Sequence, residues 1–512
     1  MTRLQSYRLP LALAMTAIYN LFFWQEQLGI NLPIFSLLII ALMFLLNPAA
    51  IRSRNAWITA LGSIITGVLV VCYHSGTSQV VHILSTLLFV GFAHQAPLRT
   101  VFHALGQLFE SSMHMGLSLQ EEWLRIRKEQ PGFSRVSNYL KLIVIPIVGV
   151  LVFFFIFRGA NPRFAALTDD LFVWIGEWFA DFSFLRFFFL LFGFIISVGI
   201  IYSRTSSKIL EHDAAQNDEL KRERRKNRLP FNFIGLKKEY RIGVLMIGMV
   251  NLMLLANNVI DIDWIWLGFE VEPNMNLKNF VHEGTYLLIL SIMLSMGIML
   301  YFFRRNQHFY RDQGLLHILS YLWVAQNVIL VISVALRNYH YIAYHGLAYK
   351  RIGVFFFLLA TVLGLFTLFA KIRNQKSAFY LFRINGWAVY GTILLLCCFN
   401  WDMIIARYNL TQDYPGQIDT EFLLSLSDKT LPVLIDHHEE AKAKLNSLSD
   451  DGYDATQIES MITRYELHIS KKIDEFQETQ EKYSWPSWNL PEANTLSYLH
   501  AYQGTLKPFE NE

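Results

Sequence analysis

Apolar residues run through most of this chain in long blocks. These fall at about 9–25, 31–47, 56–74, 78–95, 138–158, 183–203, 241–263, 282–303, 314–336, 352–371 and 379–399. A helix crossing the ~30 Å hydrocarbon core needs about 20 mostly apolar residues. The eleven blocks therefore predict membrane spans, although the first two and the fourth are short or carry polar residues. The expected fold class is all-α. It comprises a polytopic helical membrane bundle over 1–400 and a C-terminal amphipathic helical extramembrane domain over 401–512.

Past residue 410 the pattern takes on a helical period. Ile458, Met461, Ile462, Tyr465, Ile469, Ile473 and Phe476 recur at steps of three and four, behind Asp454 as a cap. Ile418, Phe422, Leu423, Leu426, Leu431 and Leu434 form a shorter apolar set before them. Within 97–138, Val101, Phe102, Leu105, Leu108 and Phe109 predict a helix lying on the inner leaflet.

Charge sets the orientation. Of 512 residues only 17% are charged, against about 25% in an average soluble domain. The net charge of +3 averages two opposed parts. From residue 410 onward nineteen acidic residues meet eight basic ones, a net −11, which leaves +14 for the rest. Lys and Arg accumulate in cytoplasmic loops. With the N-terminus inside, the connections after even-numbered spans carry Arg52 and Arg54; Arg99, Arg125, Arg127, Lys128 and Arg135; eleven basic residues within 204–241; Arg304, Arg305 and Arg311; and Lys371, Arg373 and Lys376. The odd-numbered connections hold almost none, with Arg163, Lys278, Lys350 and Arg351 the exceptions. The acidic tail then lies outside the cytoplasm. The basic run 221–228 reads as topological retention on a solvated helix before it reads as a lipid or partner site.

Candidate chemistry gathers at the outer span ends: Asp261, Asp263, His282, Glu283, Arg351, Asp402, Arg407 and Asn409, with Glu26 at the end of the first span. Ionisable groups at such depth are costly unless paired or hydrated. Glu283 with Arg351, and Asp402 with Arg407, are the expected pairs. Cys72, Cys397 and Cys398 sit in apolar runs without disulfide or zinc spacing. Neither a phosphate loop nor a dinucleotide fingerprint occurs, so no cofactor, metal or nucleic acid is expected. His74, His282, His340 and His345 lack any fixed ligand spacing. Ser425 and Ser427 near His437 and His438 read as part of a helix cap rather than as a nucleophile. His82 and His317, inside spans, read as polar links between helices.

Several stretches resemble one bacterial family. They are Gln25-Glu-Gln-Leu-Gly29-Ile-Asn-Leu-Pro-Ile-Phe35; Asn279-Phe-Val-His282-Glu283-Gly284; Tyr344-His-Gly346-Leu347-Ala-Tyr-Lys-Arg351; Ile405-Ala-Arg407-Tyr-Asn409 with Asp419, 424–427 and Leu431-Pro432; and Trp485-Pro-Ser-Trp488-Asn-Leu490. The resemblance is to domain of unknown function 4173, polytopic membrane proteins without assigned activity. His345 is an insertion relative to that pattern, and Ala348 stands where Thr is usual. The resemblance implies a multi-pass protein of the bacterial cytoplasmic membrane and no activity. A non-enzymatic scaffold, receptor-like or envelope-assembly protein is expected, with membrane lipids and an envelope protein met through the tail as partners. The alternatives are a transporter, or an enzyme acting on a lipid-linked substrate at the outer leaflet. The enzyme would use Glu283, His282 or Asp402 as acid or base and Arg351 or Arg407 on a phosphate.

Overall fold

The computed structural model describes residues 7–129, 131–169, 183–202, 206–221, 236–268, 277–303, 309–310 and 313–501, and within these not the side chains at 126–141, 144, 145, 148, 236, 277–285, 450 or 451. Among the described residues every regular element is helical, and one isolated bridge joins Glu219 and Lys376. The first four apolar helices are α1 (Arg8–Phe23), α2 (Asn31–Leu46), α3 (Arg54–Tyr73) and α4 (Gly76–His94). Then come the amphipathic pair α5 (Val101–Met113) and α6 (Met115–Glu129), α7 (Pro131–Ala160) and the short α8 (Pro162–Leu167). The rest of the bundle is α9 (Phe184–Ile201), α10 (Ser207–Ala215), α11 (Leu236–Asp261), α12 (Leu277–Phe302), α13 (Gly314–His345), α14 (Tyr349–Arg373) and α15 (Ala378–Leu396). The tail holds α16 (Trp401–Thr411), α17 (Thr420–Leu424), α18 (Leu431–Asp436), α19 (His438–Asn446), α20 (Ala455–Lys482) and α21 (Leu490–Ala501).

All eleven predicted apolar blocks are helices. Seven are long and apolar enough to cross a bilayer, and four shorter apolar helices accompany them among the described residues. Local chemistry starts several of them. The Ser53 hydroxyl accepts the Ala56 N–H before α3, Ser75 and Ser78 form a reciprocal cap on α4, and Ser377 accepts the Tyr380 N–H on α15. Helix α11 continues as one π-helical turn, Ile262–Trp266.

Between α3 and α4, His82 links the helices as expected: Nδ1 lies 2.9 Å from the Ser63 carbonyl and 3.2 Å from the Thr66 hydroxyl. His317 packs against Phe303 and turns Nδ1 to the Gln313 carbonyl of its own helix. Asn251 of α11 donates to the Leu319 carbonyl at 2.8 Å and accepts from Gln326 at 3.1 Å, so this mid-span amide joins α11 to α13.

Helix α5 forms where predicted. Val101, Ala104, Gln107 and Ser111 are buried, while Phe102 and Phe109 are exposed. Gln107 accepts the Ser206 N–H, and the Ser111 hydroxyl donates to the Tyr202 carbonyl. Beside a membrane the large apolar face can turn toward lipid, and polar groups find partners only within the protein.

The connections divide into two sets. Those after the even-numbered apolar helices tie to one another: Gln95 donates to the Ser206 carbonyl, Asp213 holds Arg99 and His103, Arg383 pairs with Asp218, and the Ser377 N–H meets the Asp218 carbonyl. Those after the first, third and ninth apolar helices instead meet the tail. The tail has its own core: Ile458, Tyr465, Ile469, Ile473 and Phe476 of α20 pack with Leu423, Leu426, Leu431 and Leu434, and this core continues through Ile405 and Leu410 to Ile352 of α14. Of the predicted α20 stripe, Met461 alone is largely exposed.

Candidate functional site

The tail meets the bundle along two seams, and four of the five quoted motifs are the strips that touch there. At the first seam, the Ile30 N–H donates to the Trp488 carbonyl at 2.9 Å and the Gln27 N–H to the Ser487 hydroxyl oxygen at 2.9 Å. Glu26 accepts the Ser484 N–H at 3.1 Å and both the Ser484 and Ser487 hydroxyls. Gly29 is required by contact: a Cβ there would lie 2.2 Å from the Ser487 carbonyl oxygen. Glu492 is buried and accepts from Asn489 (2.8 Å), Gln480 (2.9 Å) and Gln27, with His74 Nε2 at 3.3 Å.

At the second seam the Asn409 amide clamps Leu347. Its oxygen accepts the Leu347 N–H at 2.6 Å and its nitrogen donates to the Leu347 carbonyl at 2.9 Å. Gly346 has φ +79°, and a Cβ would meet the Asn409 amide oxygen at 2.5 Å. Glycine adopts that backbone conformation without steric cost. The Gly416 N–H donates to the Tyr344 carbonyl at 2.8 Å. Arg351 caps the end of α13: Nη1 donates to the carbonyls of His345 (2.9 Å) and Gly346, and the guanidinium lies 4.4 Å from the Tyr341 ring centroid.

Between the seams lies a buried ion pair. Asp402 accepts from Lys429 Nζ, the Ser427 hydroxyl (2.8 Å) and the Tyr349 hydroxyl. Lys429 Nζ also donates to the Tyr73 carbonyl at 2.6 Å and reaches that of His74 at 3.3 Å. The ammonium thus sits on the negative end of α3. Burial by itself would raise the Asp402 carboxyl, but Lys429 and the two hydroxyls outweigh it and hold the group below the usual carboxylate range. Burial pulls Lys429 below its ordinary value, with Asp402 opposing. His74 is lowered chiefly by burial, against the attraction of Glu492.

The expected pairing of Asp402 with Arg407 does not form. Arg407 is exposed, because helix geometry turns it to the opposite side of α16 from Asp402 and Asn409, which are buried. Asp261 is buried and meets Arg337 Nη2 at 2.6 Å, a partner that the charge reading of the connections did not include; Asp263 is exposed. His282 and Glu283 lie on α12 with side chains outside the described residues, so the Glu283–Arg351 pairing lies outside them too. The Ser427 hydroxyl serves Asp402 and Ser425 turns to the Phe422 carbonyl, while His437 and His438 pair with Glu440 and Glu466. Lys429, Tyr349 and Glu492 were missed. The signal for Lys429 was a lone lysine within an apolar set, 422–434. Among the described residues no three His, Cys, Asp or Glu side chains gather as a metal site.

Beside the second seam a cleft of about 350 Å³ is lined by Tyr349, Lys350, Arg351, Asn409, Tyr414 and Asp419, among others. Burial pushes the Tyr414 phenol up to about 12.

A bundle of membrane-length apolar helices, capped on one face by a clamped helical tail, defines an integral membrane protein. The chain belongs to the family described as Domain of unknown function (DUF4153), whose model matches residues 17–437. The expectation of a family without assigned activity holds, and the particular family is 4153, not the 4173 suggested by the motifs. No curated protein and no solved structure matches the chain.

Proposed function

We propose that this is a non-enzymatic scaffold or receptor-like protein of a bacterial cytoplasmic membrane. Its N-terminus is cytoplasmic, and its acidic tail faces outward to meet another envelope component. The observation that carries the reading is the closure of Asp402. Three donors occupy this buried carboxylate and its charge is spent on Lys429, whose ammonium also meets the end of α3. The motif residues around it act in the same sense, as seam contacts. The Lys/Arg tally supports the orientation, and the tail's net charge favours a basic partner segment.

A photo-crosslinking residue in place of Glu459 or His468, on the exposed side of α20, is expected to give one discrete protein adduct in native membranes. A membrane-impermeant label should reach these positions in intact cells. Absence of any adduct from exposed tail positions would count against the partner role, and labelling only after lysis would reverse the orientation.

The cleft favours a second reading, in which Lys350 receives a phosphate-bearing, lipid-linked ligand. Loss of activity in living cells from Lys350→Glu at unchanged protein level, with all tail-surface variants silent, would favour that reading over the scaffold.

A further inference from the structure

The seam explains only the inner side of the Trp-Pro-Ser-Trp-Asn-Leu motif. Ser487 and Asn489 are buried, while Trp485, Trp488 and Leu490 stay 61%, 47% and 40% exposed. Three large apolar side chains exposed within six residues form a surface that ordinarily has a partner. Its height relative to the bundle is fixed by contacts. The Trp488 carbonyl takes the N–H of Ile30, the residue before α2. The Trp485 ring stands edge-on to Phe22 in the last turn of α1, with centroids 5.8 Å apart. Both tryptophans therefore lie level with the ends of two apolar helices.

The apolar surface continues sideways from there. Leu21 of α1 is 66% exposed and Phe188 of α9 is 61% exposed. Trp24 meets Phe189 of α9 at 5.2 Å, and the Arg186 guanidinium lies 5.6 Å from the Trp24 ring. Aromatic rings with a polar edge, set at span ends beside a basic residue, match the headgroup boundary of a bilayer.

We propose that residues 485–490 form an interfacial anchor whose partner is the lipid bilayer. Trp485, Trp488 and Leu490 rest at the boundary between headgroups and acyl chains, in the leaflet on the tail's side. The tail is then held by lipid as well as by its seams. This rests on α1 and α2 spanning the membrane and is independent of the scaffold role.

The test uses the full chain in phospholipid nanodiscs, with Cys72, Cys397 and Cys398 replaced by Ala. A nitroxide is placed at Trp485→Cys or Trp488→Cys, with Leu21→Cys as the lipid-facing reference and Glu459→Cys as the aqueous one. At 485 and 488, collision with oxygen should exceed collision with a water-soluble nickel chelate, as at 21, and the order should invert at 459. Water-like access at both tryptophan positions would overturn the anchor. Shielding from both reagents would overturn it as well, since a second copy or another protein would then cover the patch. With native cysteines, brominated lipid should quench the wild-type tryptophan emission more than that of Trp485→Phe/Trp488→Phe. Equal quenching in the two proteins would also reject the proposal.

Discussion

The two polar faces of the bundle are built on the same rule with opposite signs. On the face where the connections are basic, the buried, bond-rich residue is an acid: Asp213 accepts from Arg99 at 2.8 Å and faces His103 at 2.6 Å. On the face covered by the acidic tail a base is buried in the same way: Lys429 holds Asp402 and the end of α3. In each case a scarce charge goes inside: Asp213 gathers Arg99 and His103, and Lys429 takes Asp402 and two backbone carbonyls. A residue surrounded by opposite charge is the one whose burial is best compensated. Net charge thus sets which face a connection joins, and the minority residue sets where the connections meet.

The largest expected effect comes from removing a minority charge. Lys429→Met leaves Asp402 buried and unpaired, at a cost of about 3–5 kcal/mol. Adding Asp402→Leu should recover most of this, and a double-mutant cycle of thermal unfolding in nanodiscs measures the coupling. If the single variant melts like wild type, the parallel between the faces fails. On the opposite face, Asp213→Asn removes one charge-assisted set of bonds and should cost about 2–3 kcal/mol. Proteolysis should then begin in 95–135 while the tail stays protected.

Acid should loosen the tail. His74 and His438 are both lowered, chiefly by burial. Between their folded values and about 6.5 the unfolded state binds more protons. Stability therefore falls as pH drops below about 6.5, by at most about 1.4 kcal/mol per unit for each histidine. Asp402 and Asp213 are lowered too, with Lys429 countering burial at the first and Arg99 and His103 at the second. Their contributions, full above about 4, are lost only as pH falls through the lower folded values. Hydrogen exchange, corrected for intrinsic rate, should show the tail loosening as pH falls below about 6.5. The smallest effect is expected from Arg407→Ala: the exposed side chain should change the melting free energy by no more than about 0.5 kcal/mol.

The helices were legible because lipid imposes a length and an all-apolar composition, and that signal needs no partner to be read. Helix α20 was legible for a related reason, since its stripe repeats on one face. The candidate site was half legible. Asp402, Asn409 and Arg351 were identified as polar residues at span ends, but their partners lie up to some sixty residues away and no local pattern names them. Arg407 was misassigned because sequence proximity to Asp402 stood in for helix angle.

The hydrogen bond from Ile30 to Trp488 spans more than 450 positions of the chain. The turn joining the first two apolar helices is therefore completed by residues that leave the ribosome more than 450 positions later. Until then Gly29 and Glu26 have no neighbours to close on, and the opening hairpin stands in the membrane with its turn unsealed. A factor that shields this turn during insertion would act while more than 450 further residues are made.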